Sequence, residues 1–178
     1  GNLSATDNTF DLAIQGKGYF QITMPTGETS YTRDGTFQLD GSGQLVTHDG
    51  YTVQPGINIP ANAIDISVNG SGEVQAKIQG QAALQTVGQL SIASFPNEAG
   101  LESIGGNLYL ETPASGSSTT AAPGSTGFGA ILQGFLETSN VNAVEEISNL
   151  ISAQRAYEMN SKVIKTSDEM LGTLTQLR

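Results

Sequence analysis

The sequence predicts a mainly β fold, an antiparallel β domain over residues 1–136 followed by one long C-terminal α-helix over 137–178. Three observations carry this. From about residue 10 to 112 apolar and polar residues alternate with period two, which puts one set of side chains on a buried face. Gly-rich turn pairs punctuate the alternation. After Phe135 the apolar spacing changes to three and four, the period of a helix.

The strand signals run in order. Phe10, Leu12 and Ile14 alternate with Asp11, Ala13 and Gln15. Phe20, Ile22 and Met24 follow, then Ile64, Ile66 and Val68, then Val74, Ala76 and Ile78. Gly16-Lys17-Gly18, Asp34-Gly35, Asp49-Gly50 and Asn69-Gly70 read as hairpin turns between them, because Asn-Gly and Asp-Gly tolerate positive φ. Asp40-Gly41-Ser42-Gly43-Gln44-Leu45 is echoed by Asn69-Gly70-Ser71-Gly72-Glu73-Val74. Both read as turns feeding an outgoing strand, and two copies are too few for a solenoid. Residues 113–130 are uncharged and rich in Pro, Ala, Ser, Gly and Thr, so this stretch is expected to be a flexible loop.

The helix is expected from 143 to 177, about 35 residues and roughly 52 Å at 1.5 Å per residue. Ser139-Asn140 caps its start, and Glu145-Glu146 suit its positive end. Ala156, Val163, Met170, Leu174 and Leu177 fit one heptad seam. Ile147, Leu150, Tyr157, Ile164 and Leu171 fit a second beside it, and Val144 and Ile151 belong to the same apolar face. Such a helix is about three times the usual length. Burying its ten largest apolar side chains contributes on the order of 15–30 kcal/mol before ordering costs. No second amphipathic helix is read in the sequence, so its partner is expected from other chains or from sequence beyond these residues. The self-assembly residues are then Ile147, Leu150, Ile151, Tyr157, Val163, Ile164, Met170, Leu171, Leu174 and Leu177.

Composition narrows the function. The 178 residues carry 7 basic and 17 acidic side chains, a net charge of −10. Within 1–143, Lys17, Arg33 and Lys77 face twelve acids, the opposite of the basic surface that neutralises phosphates. The chain has no cysteine, which excludes disulfides, thiol catalysis and cysteine zinc sites. No apolar run approaches the roughly 18 residues of a membrane helix. No basic segment followed by an apolar run stands at the start, so no cleavable signal is read.

Catalytic and metal chemistry find little support. His48 is the single histidine, and zinc sites need several ligands. Counted from Asp40, the calcium-loop glycine falls on Leu45 and the closing glutamate on Tyr51, so that template fails. Asp34, Asp40 and Asp49 are the carboxylates open to glycosidase chemistry. Asp34, Asp40 and Asp49 each precede a glycine, where aspartate favours the turn itself. Gly16-Lys17-Gly18 lacks the spacing of a phosphate loop. No cofactor is expected.

Several segments together carry a resemblance. Leu136-Glu137-Thr138-Ser139-Asn140-Val141-Asn142 and Gln154-Arg155-Ala156-Tyr157-Glu158-Met159-Asn160-Ser161-Lys162 resemble the C-terminal signature of bacterial flagellar axial proteins, the rod, hook and hook-associated subunits. Within it, Ser139, Asn140, Val141, Gln154, Arg155, Tyr157 and Asn160 are the signature residues. Asp11 to Phe20 and Tyr31 to Phe37 resemble the β-domain motifs of rod and hook proteins, and Gly100 to Tyr109 is similar to the distal-rod type. The resemblance implies a non-enzymatic, self-assembling subunit of the distal rod that transmits torque to the hook. A proximal-rod or hook subunit is the alternative within the family, and a soluble carbohydrate-binding or hydrolytic β protein the alternative outside it. It further implies a basal-body location in the periplasm after type III export. The implied partners are copies of itself, proximal-rod and hook subunits, ring bushing proteins and the export apparatus. The family opens with an N-terminal helix that pairs with the C-terminal one as a coiled coil. This chain begins without it and is expected to be an N-terminally truncated form.

Overall fold

Alternation and turn chemistry between them build a run of short strands. The computed structural model describes residues 1–139. In these residues the strands are β1 (Leu3–Ala5), β2 (Leu12–Gln15), β3 (Tyr19–Thr23), β4 (Thr29–Thr32), β5 (Phe37–Leu39), β6 (Leu45–Thr47), β7 (Thr52–Val53) and β8 (Ala63–Val68). They continue as β9 (Glu73–Ile78), β10 (Leu84–Gln89), β11 (Ile92–Ser94), β12 (Glu102–Gly105), β13 (Leu108–Leu110), β14 (Thr119–Ala121), β15 (Ala130–Gln133) and β16 (Phe135–Glu137). A nine-stranded sheet has the order β12-β13-β4-β3-β7-β6-β5, with β11 against β3 and β14 against β11. A three-stranded sheet runs β10-β9-β8, and two ribbons pair β15 with β2 and β1 with β16. Every pairing of these strands is antiparallel.

These pieces share one core. Leu12 and Ile14 of β2, Phe20 and Ile22 of β3, Val74 of β9, Ile92 of β11 and Ile131 of β15 are all buried in a single cluster. Tyr31, Ala93 and Phe95 form a smaller one, with Tyr31 edge-on to Phe95 at 4.8 Å. The amide of Gln133 ties two pieces together. Its Oε1 accepts from Val68 N at 3.0 Å, and its Nε2 donates to Ile66 O at 3.0 Å. It thereby bonds the outer edge of β8 much as another strand would.

The echoed turns fold alike, atom for atom. Asp40 Oδ1 accepts from Ser42 N, Ser42 Oγ and Gln44 N at 2.9, 2.7 and 3.0 Å. Asn69 Oδ1 accepts from Ser71 N, Ser71 Oγ and Glu73 N at 3.2, 2.8 and 3.0 Å. Each joins a true hairpin, β5–β6 and β8–β9. The hydrogen bonds to Asp40 hold its carboxyl below the usual carboxylate range, that from the Ser42 hydroxyl foremost.

Five expectations are corrected. The fold class of a β domain plus a long C-terminal helix does not stand. Among the described residues the only helical piece is the 3-10 turn Glu98–Gly100, and Glu137 ends strand β16 instead of opening a helix. Pairing with β1 satisfies its backbone there. The helix expected over 143–177 lies outside the described residues. Within 113–130 the expected loop is interrupted by the three-residue strand β14, which pairs with β11. Backbone pairing recruits Thr119 and Thr120 without any apolar alternation. Gly16-Lys17-Gly18 is not a hairpin tip, since β2 and β3 belong to different sheets. Asp34-Gly35 is not one either, because β4 and β5 are not paired. Gly35 instead lies so close under β2 that an added Cβ would stand 1.5 Å from Leu12 O. Finally, Ile64 is 60% exposed. The register shifts between Ala63 and Asp65, and this bulge turns the extra residue outward. Val74, Ala76 and Ile78 keep the expected buried alternation.

Candidate functional site

Three of the quoted sequence segments meet at one side chain. Arg33 follows β4 and reaches across to the loop between β2 and β3. Its Nη1 donates to Gly16 O at 2.8 Å and to Gly18 O at 2.7 Å, and its Nη2 donates to Ile14 O at 3.1 Å. Its Nε donates to Glu137 Oε2 at 2.8 Å, and Nη2 stands 2.8 Å from the same oxygen. The guanidinium also lies 6.0 Å from the centre of the Tyr19 ring. A planar five-donor fork can serve three carbonyls and a carboxylate together, which an ammonium cannot.

Glu137 closes the other side. Its Oε1 accepts from the Gly1 ammonium at 2.8 Å. Burial pushes its carboxyl up, but the Gly1 and Arg33 cations pull harder, and the net shift is downward. Beside it, Thr138 N and Oγ1 both donate to Asn2 O, at 2.8 and 2.9 Å. The β1–β16 ribbon is thus bonded along its length and fastened to the main domain by Arg33. A two-stranded ribbon alone is marginal in water, so the fastening fixes where the chain leaves the domain.

Among the carboxylates weighed for catalysis, Asp34 and Asp49 do come together, with His48, around a small depression of about 30 Å³. That space holds about one water and no sugar. Asp34 Oδ1 is bonded to Thr36 N and Oγ1, and its Oδ2 accepts from Asn107 Nδ2 at 3.3 Å. Asp40 is elsewhere, in its turn. No three His, Cys, Asp or Glu residues among the described ones are placed to hold a metal ion. No helix among them is long and apolar enough to cross a membrane.

Of the signature residues, Ser139 is described and exposed. Asn140, Val141, Gln154, Arg155, Tyr157 and Asn160, and every self-assembly residue from Ile147 to Leu177, lie outside the described residues. Sequence reasoning missed the Arg33–Glu137 link. Both residues stood in the quoted motifs, yet nothing in one sequence pairs positions so far apart.

Comparison with known proteins agrees with the convergence of these motifs. Residues 13–76 match the family model described as the flagellar hook protein FlgE/F/G D1 domain. Residues 132–177 match that of the flagellar basal body rod FlgEFG protein C-terminal region. The flagellar basal-body rod protein FlgG of Caulobacter vibrioides is 61% identical over 178 residues, all of this chain and 68% of that protein. FlgG of Bacillus subtilis is 45% identical over 98% of this chain and 67% of its own length. The flagellar hook protein FlgE of Salmonella typhimurium is 34% identical over 88% of this chain but 40% of that protein.

Proposed function

The chain belongs to the family of flagellar basal-body rod proteins, and we propose that it serves as a self-assembling subunit of the distal rod that passes torque toward the hook. One observation supports the mechanical part of this reading. Arg33 binds the β2–β3 loop and the exit strand β16 in a single network. A load entering through residues after Glu137 then reaches the β domain through charge-assisted hydrogen bonds as well as the peptide chain. The higher identity to rod proteins than to a hook protein favours the rod over the hook.

In this reading the role is structural and not catalytic. Copies adhere through Ile147, Leu150, Ile151, Tyr157, Val163, Ile164, Met170, Leu171, Leu174 and Leu177, with the β domain outside them. Partners are other copies, proximal-rod and hook subunits and the ring bushing. The subunit acts in the periplasm after type III export. Labelling the full-length protein in isolated basal bodies tests the assignment. Label on the rod next to the hook is expected, and label confined to the hook or to the proximal rod overturns it.

A further inference from the structure

The sequence contains a single Asn-Gly step, Asn69-Gly70, in the turn that joins β8 to β9. Both residues are exposed. Bonding an asparagine Cγ to the next backbone nitrogen closes a five-membered ring, an intramolecular step that needs the two atoms held close. A glycine at the second position puts no side chain in the way. The nitrogen is available here. Gly70 O accepts from Ile131 N at 3.0 Å, but Gly70 N donates to no group among the described residues.

The turn also holds the side-chain carbonyl. Asn69 Oδ1 accepts from Ser71 N, Ser71 Oγ and Glu73 N at 3.2, 2.8 and 3.0 Å. Donors on that oxygen stabilise the negative charge it gains when a nucleophile adds to Cγ. On the other side, Asn69 Nδ2 donates to Glu73 Oε2 at 3.3 Å. Hydrogen bonds, that from Thr86 foremost, hold the Glu73 carboxyl below the usual carboxylate range. It therefore meets the amine as an anion, which favours the protonated leaving group.

We propose that Asn69 is a self-deamidation site of the folded protein, and that the turn directs the reaction to aspartate. Gly70 N bonds to Asn69 Cγ, the Cγ–Nδ2 bond breaks, and the proton given up by Gly70 N leaves with Nδ2 as ammonia. Water then adds to Cγ of the cyclic imide. The bond from Cγ to Gly70 N breaks, the hydroxyl stays on Cγ, and the proton returns to the nitrogen. Water adding at the main-chain carbonyl would give the β-linked isomer instead. That carbonyl accepts only from Gly72 N, at 3.0 Å, against three donors on Oδ1.

The molecule already holds a copy of the product. Asp40 makes the same three bonds, from Ser42 N, Ser42 Oγ and Gln44 N, in the β5–β6 turn. An aspartate at 69 fits that geometry, whereas the β-linked isomer lengthens the main chain inside a tight hairpin. The residue four on from Asp40 is Gln44, and from Asn69 it is Glu73. Conversion thus sets two carboxylates at one hairpin tip and adds a negative charge to a chain already at −10.

Peptide mapping of the folded full-length protein, incubated at mildly alkaline pH in heavy-oxygen water, tests this. Label is expected at position 69 in normally linked aspartate, with the Asn69→Asp protein as the standard. The ratio of aspartate to the β-linked isomer is expected to fall in urea, where the three donors are lost. Gly70→Ala is expected to slow conversion by about tenfold or more, because added bulk moves the attacking nitrogen out of line. It leaves the fold intact, since an added Cβ there meets nothing nearer than 3.9 Å. No conversion at Asn69, an isomer ratio unmoved by unfolding, or an unchanged rate in Gly70→Ala overturns the proposal.

Discussion

Arg33 and Glu137 are 104 positions apart in the chain, and Arg33 Nε donates to Glu137 Oε2 at 2.8 Å. That bond closes the domain. It brings the β2–β3 loop, the end of β4 and the last strand into one network, with both side chains mostly buried, at 27% and 16% exposure.

Removing the guanidinium takes a donor from Ile14 O, Gly16 O, Gly18 O and Glu137 Oε2. Arg33→Ala is expected to lower unfolding stability by about 2–4 kcal/mol, from lost charge-assisted bonds at a partly screened site. Arg33→Lys recovers less than half, because a point charge cannot span the same acceptors. Urea denaturation of the variants measures both, and a loss under about 0.5 kcal/mol in Arg33→Ala contradicts the account.

The downward shift of Glu137 fixes the sign of a pH effect. A carboxyl held low in the folded state stabilises fully above its unfolded value, about 4.3 for glutamate. That stability is lost as pH falls through the folded value. Wild type is therefore expected to exceed Glu137→Gln in stability near neutral pH, and the gap closes only in acid. A gap that widens on acidification refutes the ion-pair origin.

Gly35 and Gly41 make a matched contrast. Gly35→Ala places Cβ 1.5 Å from Leu12 O, a backbone clash expected to cost about 3 kcal/mol or more. Gly41 has nothing within 4 Å of an added Cβ and no positive φ. Gly41→Ala is thus expected to be neutral or to stabilise by about 0.4–1 kcal/mol. Thermal melts of the two variants decide it, and similar melting temperatures would count against the close approach.

In the full-length protein, Leu171→Asp or Ile164→Asp is expected to block rod completion while the β domain stays folded. Electron microscopy of basal bodies and near-ultraviolet circular dichroism report the two halves of that statement. Normal filaments and swimming would sink it.

Local chemistry was readable from the residues. The Asp40 and Asn69 turns, the hairpins they close and the buried run Val74, Ala76 and Ile78 follow from period-two patterning and from side chains that bond two to four residues ahead. The family also followed, because its motifs are contiguous in sequence. Pairings between distant segments did not. β14 against β11, β16 against β1, Gly35 beneath Leu12 and Arg33 on Glu137 depend on which backbone edges meet. Bulges at Ile64 and Ile104 break the alternation through strand register, which is set by the partner strand. The order of residues along the chain settled its turns and its kinship. Tertiary packing alone decided which side chains close the domain and which it leaves facing outward.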